Sequence, residues 1–402
     1  MVPYAARNVA EPPLCERDVV LQVPAWSARL RGEIVGREML PDIYSGWADL
    51  CARSAEDNVY YTPRYARALL NTVERDTSVH FALAWDGTDL VGLLPFIRPR
   101  LPVPLVGATS QAWQSQYTFS CTPVLDRSNP GDAAAALLEA MGSVGECEWI
   151  IPTVNTQGPA CRAMLAALGR AGHPSLFLNR FQRASLDATV SFEQHMQSGV
   201  PAKRRRDLAR NRRRLEKIGT IAHKSYALGA DIDGAFTQFL KVEASGWKGR
   251  SGTALACRDD TRQFAIDAFT KADSHSTCRV DVLTLDDEPI AAGVVVFAGS
   301  TGFTVKCAYD ETYASYSAGL LLELEVIRSF LSERWAERLD AATEGAHVID
   351  SLWPGRVEVA DLLFSLSRRS PEWRLAALQR TEDFKRSLKR AIKTLLGQLG
   401  LQ

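Results

Sequence analysis

The feature that most constrains this chain is a cadence that occurs twice, 200 residues apart. Val79 to Trp85 alternates like a strand, Asp86-Gly87-Thr88-Asp89 supplies a turn, and Leu90 to Ile97 is a second apolar strand. The same order returns as Arg279 to Leu285, the turn Asp286-Asp287-Glu288-Pro289, and Ile290 to Ala298. A long element precedes each hairpin, over Ser45 to Glu74 and Ile232 to Ala272. A helix follows each, over Gly131 to Val144 and Ala318 to Arg334. Hairpins are common, but the agreement in element order points to an internal duplication with two superposable halves. In the second half, Gly299-Ser300-Thr301-Gly302 links Ile290–Ala298 to a further strand, Phe303–Tyr309, and a short strand around Arg338 to Ala342 follows the helix. A meander feeding a strand–loop–helix–strand unit predicts an α/β chain, a mixed sheet with helices on both faces.

The length of 402 residues also favours two domains over one core. We divide the chain into a disordered lead-in (1–20), a first domain (21–186), a second domain (187–370) and a C-terminal helix (371–402). The main boundary falls near Arg183 to Ser191, where strand-like residues give way to polar ones. Lys and Arg (47) balance Asp and Glu (47), which argues against a dedicated nucleic-acid binder and against DNA as a partner. No apolar run of about 18 residues is present, and Met1 to Pro13 lacks a secretory apolar core, so a cytoplasmic protein is expected. The eight cysteines are scattered without a C-x-x-C pair, as expected of reduced thiols. His195, His223, His275 and His347 lack ligand-like spacing, so no metal is expected.

Four segments can carry chemistry. In Tyr313-Ala314-Ser315-Tyr316-Ser317-Ala318-Gly319, Ser317 is placed to cap the helix that starts at Ala318. The first-turn N–H groups then face an anion, and Gly319 lets a phosphate approach; an ordinary capped helix reads equally well. In the helix from Ile232 to Trp247, Glu243 shares the apolar stripe of Phe236, Phe239 and Leu240. A core-facing carboxylate is either a general base or half of an ion pair with Lys248 or Lys306. Lys203 to Lys217 holds nine basic residues against two acidic ones. It reads as a solvated face, a binder of a small anionic ligand in a groove between the domains, or a nucleic-acid contact. The absence of interleaved aromatics disfavours the last. Finally, Phe384, Leu388, Ile392, Leu395 and Leu399 alternate with basic residues as an amphipathic helix, which packs on the protein or makes weak contact with a membrane surface.

Glu243-Ala244-Ser245-Gly246-Trp247-Lys248-Gly249-Arg250-Ser251-Gly252-Thr253-Ala254-Leu255, then Lys306, Tyr309-Asp310-Glu311 and the run Tyr313 to Leu321, resemble the signature of the CelD-like branch of GNAT acetyltransferases. That branch is named for bacterial cellulose and other exopolysaccharide biosynthesis, and is related to the double-GNAT Fem-type aminoacyltransferases. Tyr60-Tyr61-Thr62-Pro63, Cys121 to Asp126 and the basic helix are similar as well, so the resemblance runs from about Leu40 to Leu366. It implies tandem GNAT-like domains, each a mixed, mostly antiparallel sheet with flanking helices. It also implies acetyl-CoA or a longer acyl-CoA as donor, and a sugar, polysaccharide precursor or other small polar molecule as acceptor. The donor's phosphates would sit at Ser317, Ala318, Gly319 and Leu320 with Lys306 nearby, and its thioester would lie along Phe303 to Tyr309. Glu243 would take the acceptor's proton, and Tyr309, Tyr313 or Tyr316 would protonate the leaving thiolate. Trp247, Lys248, Arg204, Arg205 and Arg212 would contact the acceptor. The first half, which has no matching phosphate loop, would be structural or acceptor-binding. The rivals are a Fem-type transferase using aminoacyl-tRNA, a non-catalytic partner of a polysaccharide synthase, and an RNA binder without catalysis.

Overall fold

Turn chemistry and alternation build both hairpins where the repeat places them. Gly87 (φ 61°) in the first, and Asp286 and Asp287 (φ 49° and 65°) in the second, take the left-handed backbone that tight hairpins need. The computed structural model describes residues 30–98, 109–145, 147–227, 231–271, 276–343, 345, 347–367 and 374–381. The lead-in, His275 and most of the amphipathic C-terminal segment lie outside the described residues.

In chain order the first half contains β1 (Leu30–Gly36), α1 (Leu40–Ala52), α2 (Pro63–Asn71), β2 (Val79–Asp86), β3 (Asp89–Ile97), β4 (Thr109–Ala112), β5 (Val124–Leu125), α3 (Pro130–Gly142), β6 (Glu148–Asn155), α4 (Pro159–Ala171) and β7 (Ser175–Asp187). The second contains α5 (Phe192–Gln194), α6 (Ala202–Leu215), β8 (Ile221–Tyr226), α7 (Ile232–Ser245), α8 (Trp247–Arg250), α9 (Asp259–Phe269), β9 (Ser276–Leu285), β10 (Glu288–Ala298), β11 (Thr301–Tyr309), α10 (Ala318–Glu333), β12 (Arg338–Asp340) and β13 (Gly355–Ser365). Each long element expected ahead of a hairpin is broken, and the cause is local. α1 ends at Ala52, and Thr62, extended at φ −75° and ψ 149° before Pro63, sets where α2 starts. Gly246, extended at φ −90° and ψ −164°, parts α8 from α7.

Each half contributes a mixed, mostly antiparallel set of strands flanked by helices. The two sets join into one sheet in the order β1-β2-β3-β4-β6-β13-β7-β12-β11-β10-β9-β8, a continuity that counts against the expected division into two separate superposable domains. The order is a palindrome of roles: five strands on each flank, each flank with one parallel pair. These are β4 with β6, over Thr109–Gln111 and Glu148–Ile150, and β11 with β12, over Thr301–Phe303 and Arg338–Asp340. At the centre β13, from the end of the chain, lies between β6 and β7, so the line between residues 186 and 187 passes through continuous hydrogen bonding.

Alternation assigns the faces of the second half. Ala292, Val294, Val296 and Ala298 of β10 point into a core shared with the first half, α7 and α9, whereas Ala291 and Val295 point into a second core beneath α10. Leu321, Leu322, Val326, Ile327 and Phe330 form the buried stripe of α10 at helical spacing. The sheet thus separates α10 and α6 from α7, α8 and α9.

Candidate functional site

The site begins where the parallel pair β11 and β12 comes apart. Past Phe303 and Asp340 the strands diverge: Asp340 Oδ1 accepts the Ala342 N–H (2.7 Å), and Ala342 takes left-handed backbone (φ 50°), turning the chain away. β11 runs on with a bulge, since Val295 faces Thr304 and Val294 faces Lys306, leaving Val305 as the extra residue. From Thr304 onward no described strand pairs with the outer edge of β11, so alternate N–H groups there lack a ladder partner. The fork opens a cavity of about 610 Å³ that reaches both faces of the sheet. Tyr309, Cys307, Glu323 and the start of α10 line it on one face, Lys306 and Lys248 on the other, and Ala341 to Thr343 with His347 to Ile349 close the far wall.

The helix start is anion-ready, but not through the expected cap. Ser317 has left-handed backbone (φ 58°, ψ 45°), and its side chain makes no cap hydrogen bond. Its carbonyl accepts the N–H groups of Leu320 (2.9 Å) and Leu321 (3.0 Å). Its hydroxyl instead accepts from Asn211 Nδ2 (3.1 Å). Ala318 and Gly319, whose amides have no intrahelical acceptor, face the cavity with Ser317 and Leu320. A Cβ on Gly319 would lie 3.2 Å from Tyr309 Cδ1, so the glycine also lets α10 close onto that ring.

The basic helix is α6, and it packs against this loop and α10. The junction cavity between the halves (about 590 Å³) has no α6 residue on its walls, which corrects the expected groove position. Arg214 donates to the Ser315 carbonyl (3.3 Å) and stacks over Tyr316 (4.9 Å). Arg212 is tied to Glu325 and Glu216, and Arg205 donates to the Met196 carbonyl (3.0 Å). Arg204 is half-buried; neither it, Arg205 nor Arg212 lines the donor-side cavity. Tyr309 is at the cavity mouth and 43% exposed, whereas Tyr313 and Tyr316 pack on the second core and do not line the cavity.

On the opposite face Glu243 is buried behind the cavity wall. One oxygen meets Lys248 Nζ (3.3 Å), the other accepts the Leu255 N–H (2.9 Å), and Lys248 is the member of the pair that lines the cavity. Trp247 is exposed, with its N–H on Glu311 Oε1 (3.0 Å). Burial lowers the Lys306 ammonium below its ordinary range; the Glu243 charge opposes this and Lys248 adds to it. Lys306 Nζ lies 5.3 Å from the ring centroid of Tyr117, a residue of the first half that packs on Phe264 of α9 (4.7 Å).

Three groups on the α10 face escaped sequence reasoning. Glu323 is pushed up to about 8 by burial, although its carboxylate accepts from Trp353 Nε1 (2.8 Å). Its signal was a lone acid within Leu320-Leu321-Leu322-Glu323-Leu324. Cys307 is exposed where it opens on the cavity, and desolvation by the surrounding protein pushes its thiol up to about 12. For Asp281, burial opposes ionisation. Hydrogen bonds from His223 (2.9 Å), Arg279 (2.9 Å) and Ser225 (2.7 Å) outweigh it and hold the carboxyl low. Asp281, Gly293 and Cys307 share one row of the sheet, and nothing local marks that row. Among the described residues no group of three His, Cys, Asp or Glu is arranged to hold a metal, and no helix is long and apolar enough to cross a membrane.

A forked parallel strand pair, a bulged strand, and a helix that presents free amides at the fork meet at this one cavity. Residues 202–347 match the acetyltransferase (GNAT) domain family, so the chain carries such a domain and is an acyltransferase. Solved structures of similar fold include a domain described as the C-terminal part of a lysylphosphatidylglycerol synthetase from Agrobacterium fabrum. It is 15% identical, with a TM-score of 0.53 over 85% of this chain and 96% of that one. FemX is similar at 11% identity and a TM-score of 0.52, over 80% of this chain and 95% of its own. So is a conserved protein of unknown function from Bacteroides thetaiotaomicron, at 10% identity and a TM-score of 0.53 over 83% and 100%. At these identities the likeness is one of fold. No curated protein matches the chain.

Proposed function

We propose that the protein transfers an acyl group from acetyl-CoA or a longer acyl-CoA to an amine or hydroxyl of a small polar acceptor. The observation that carries this reading is the cavity that passes through the fork, with the amides of α10 on one face and two lysines on the other. The donor's phosphates would meet Ala318, Gly319 and Leu320, and its chain would lie along the unpaired edge of β11, where backbone N–H groups polarise the thioester carbonyl. The acceptor would enter between Lys248, Lys306 and Tyr117. Glu243 would hold Lys248 there, and Lys306, its ammonium disfavoured by burial, would take the acceptor's proton. The CelD-like resemblance favours a sugar or polysaccharide precursor as acceptor.

Desulfo-CoA tests the donor site. At 100 times its Kd it should add about 2.7 kcal/mol to stability. Gly319→Val, which puts a branched side chain between the phosphates and Tyr309, should weaken its binding at least about tenfold while helix propensity favours the fold. Unchanged affinity in that variant would move the phosphates elsewhere. A second reading rests on the exposed cations Lys203, Arg206 and Arg213 of α6 and Lys217 just beyond it: an aminoacyl-tRNA donor. Tight, salt-sensitive tRNA binding by a protein indifferent to desulfo-CoA would favour it.

A further inference from the structure

We infer that Glu323 is the proton donor to the departing thiol, a role that rests on the donor placement proposed above. Glu323 stands in the second turn of α10, on the donor face of the cavity, above the stretch of β11 that carries Cys307. Glu323 and Cys307 line the same face of the cavity, so the carboxyl borders the strand the thioester would follow. The Trp353 indole, fully buried, donates to Oε1 (2.8 Å) and fixes the carboxyl's direction. Oε2 has no hydrogen-bond partner among the described residues.

The environment gives two cavity-facing carboxyls opposite states. Asp281 stays ionised because Arg279, His223 and Ser225 bond to it. Glu323 has no cation of its own. Burial first, and then the Asp281 charge, push it to about 8, so the carboxyl keeps its proton near neutral pH. The other titratable groups that face the cavity are Lys306, Cys307 and Tyr309 of β11, Lys248 of α8 and His347 of the wall. An acid with affinity for protons close to that of an ordinary thiol, about 8.5, passes its proton with little uphill cost. Cys307 is unsuited to a covalent acyl-enzyme, because its surroundings push the thiol up to about 12. Tyr309, in contrast, sits at the mouth, nearer solvent.

In the step itself, the acceptor nitrogen or oxygen attacks the thioester carbonyl and that bond forms as the carbon–sulfur bond breaks. The sulfur takes the electron pair and then the Glu323 proton. The acceptor's own proton passes to Lys306, and exchange with water resets both groups.

The test follows thiol release from acetyl-CoA, with hydroxylamine as acceptor, between pH 6.5 and 9.5, alongside desulfo-CoA binding, for wild type and Glu323→Gln. The wild-type kcat should fall as pH rises through about 8. The variant should bind desulfo-CoA as the wild type does, release thiol about 100- to 10,000-fold more slowly, and lose that alkaline fall. Glu323→Asp, a shorter acid, should recover part of the rate together with the pH dependence. Equal binding with an unchanged rate and an unchanged alkaline limb in Glu323→Gln would overturn the role of Glu323 alone. If the wild type neither binds desulfo-CoA nor releases thiol, the donor reading falls, and the role of Glu323 with it.

Discussion

Neutralising Glu56 should stabilise the protein above neutral pH and do little in acid. Glu56 lies in the loop after α1, where Oε2 accepts the Ala160 N–H (3.2 Å) at the start of α4. A Cβ on Gly158 would come within 2.2 Å of that oxygen, so the glycine makes room for the carboxyl. Next to it Asp57 Oδ2 accepts the Ser300 N–H (3.1 Å) and the Thr301 hydroxyl (2.9 Å), so the loop links the first half to the β10–β11 turn. Burial raises Glu56 from 4.5 to about 7, against the opposing Ala160 hydrogen bond. The folded state therefore holds this proton more tightly than the unfolded chain. Its stabilising contribution is complete below 4.5 and is lost as pH rises to about 7, where the buried carboxylate must ionise. At about 1.4 kcal/mol per pH unit the loss reaches about 3 kcal/mol. That is an upper bound, because the carboxyl borders the water-accessible junction cavity. Gln keeps an acceptor for Ala160 and has no charge to desolvate. Urea unfolding of wild type and Glu56→Gln at pH 5 and pH 8 isolates the effect, because other titrations cancel between the two proteins. The variant's advantage should grow by about 2 kcal/mol between those pH values. An advantage of the same size at both would refute the reasoning.

Glu243→Gln leaves Lys248 without its partner and should cost about 1–3 kcal/mol in urea unfolding together with a loss of turnover; wild-type stability with lost turnover would restore the direct proton-removal role expected from the sequence. Lys306→Met should abolish the acid limb of the kcat–pH profile, the limb on which rate rises as the buried ammonium deprotonates, while leaving desulfo-CoA binding intact. A persisting acid limb would assign it to another group.

Both hairpins were legible because the information is local: alternation of period two, with Gly87 or Asp286-Asp287 at positions that need left-handed backbone. α10 was legible from its apolar stripe. The site was legible only in part. Ser317 occupies the residue before the helix, as its type suggested, but its left-handed backbone turns the hydroxyl to Asn211, a partner 106 residues away. Sequence spacing reports a capping residue's position and not its backbone. Glu243 was found for the right reason, a carboxylate on an apolar stripe, and of the roles that pattern allows the geometry supplies the ion pair with Lys248. Tyr117 could not be found, because it is brought to Lys306 only by the way the first half folds against the second.

The two halves have been put to unequal use, and the sheet shows how. In the second half the parallel pair ends at Phe303, and two residues later the bulge at Val305 opens the fork. In the first half the pair ends at Gln111, and two residues later stands Trp113, whose indole is buried in the core. The chain beyond Trp113 is then held by main-chain acceptors: Trp113 and Tyr117 carbonyls take the hydroxyls of Tyr61 (2.7 Å) and Tyr65 (2.7 Å). The Phe119 carbonyl takes Arg183 Nη2 (2.8 Å), while Arg183 Nε reaches the Thr343 carbonyl (2.9 Å) on the wall of the second half's cavity. Arg183 is fully buried on β7, the strand that carries the sheet from one flank to the other. In the first half a buried indole follows the parallel pair, and the loop beyond it is held so that Tyr117 faces Lys306 of the second. The continuous sheet is what makes that arrangement possible: a loop anchored through β7 is tied to the sheet that carries β12, so the lysine face of the second half's cavity is held by packed structure.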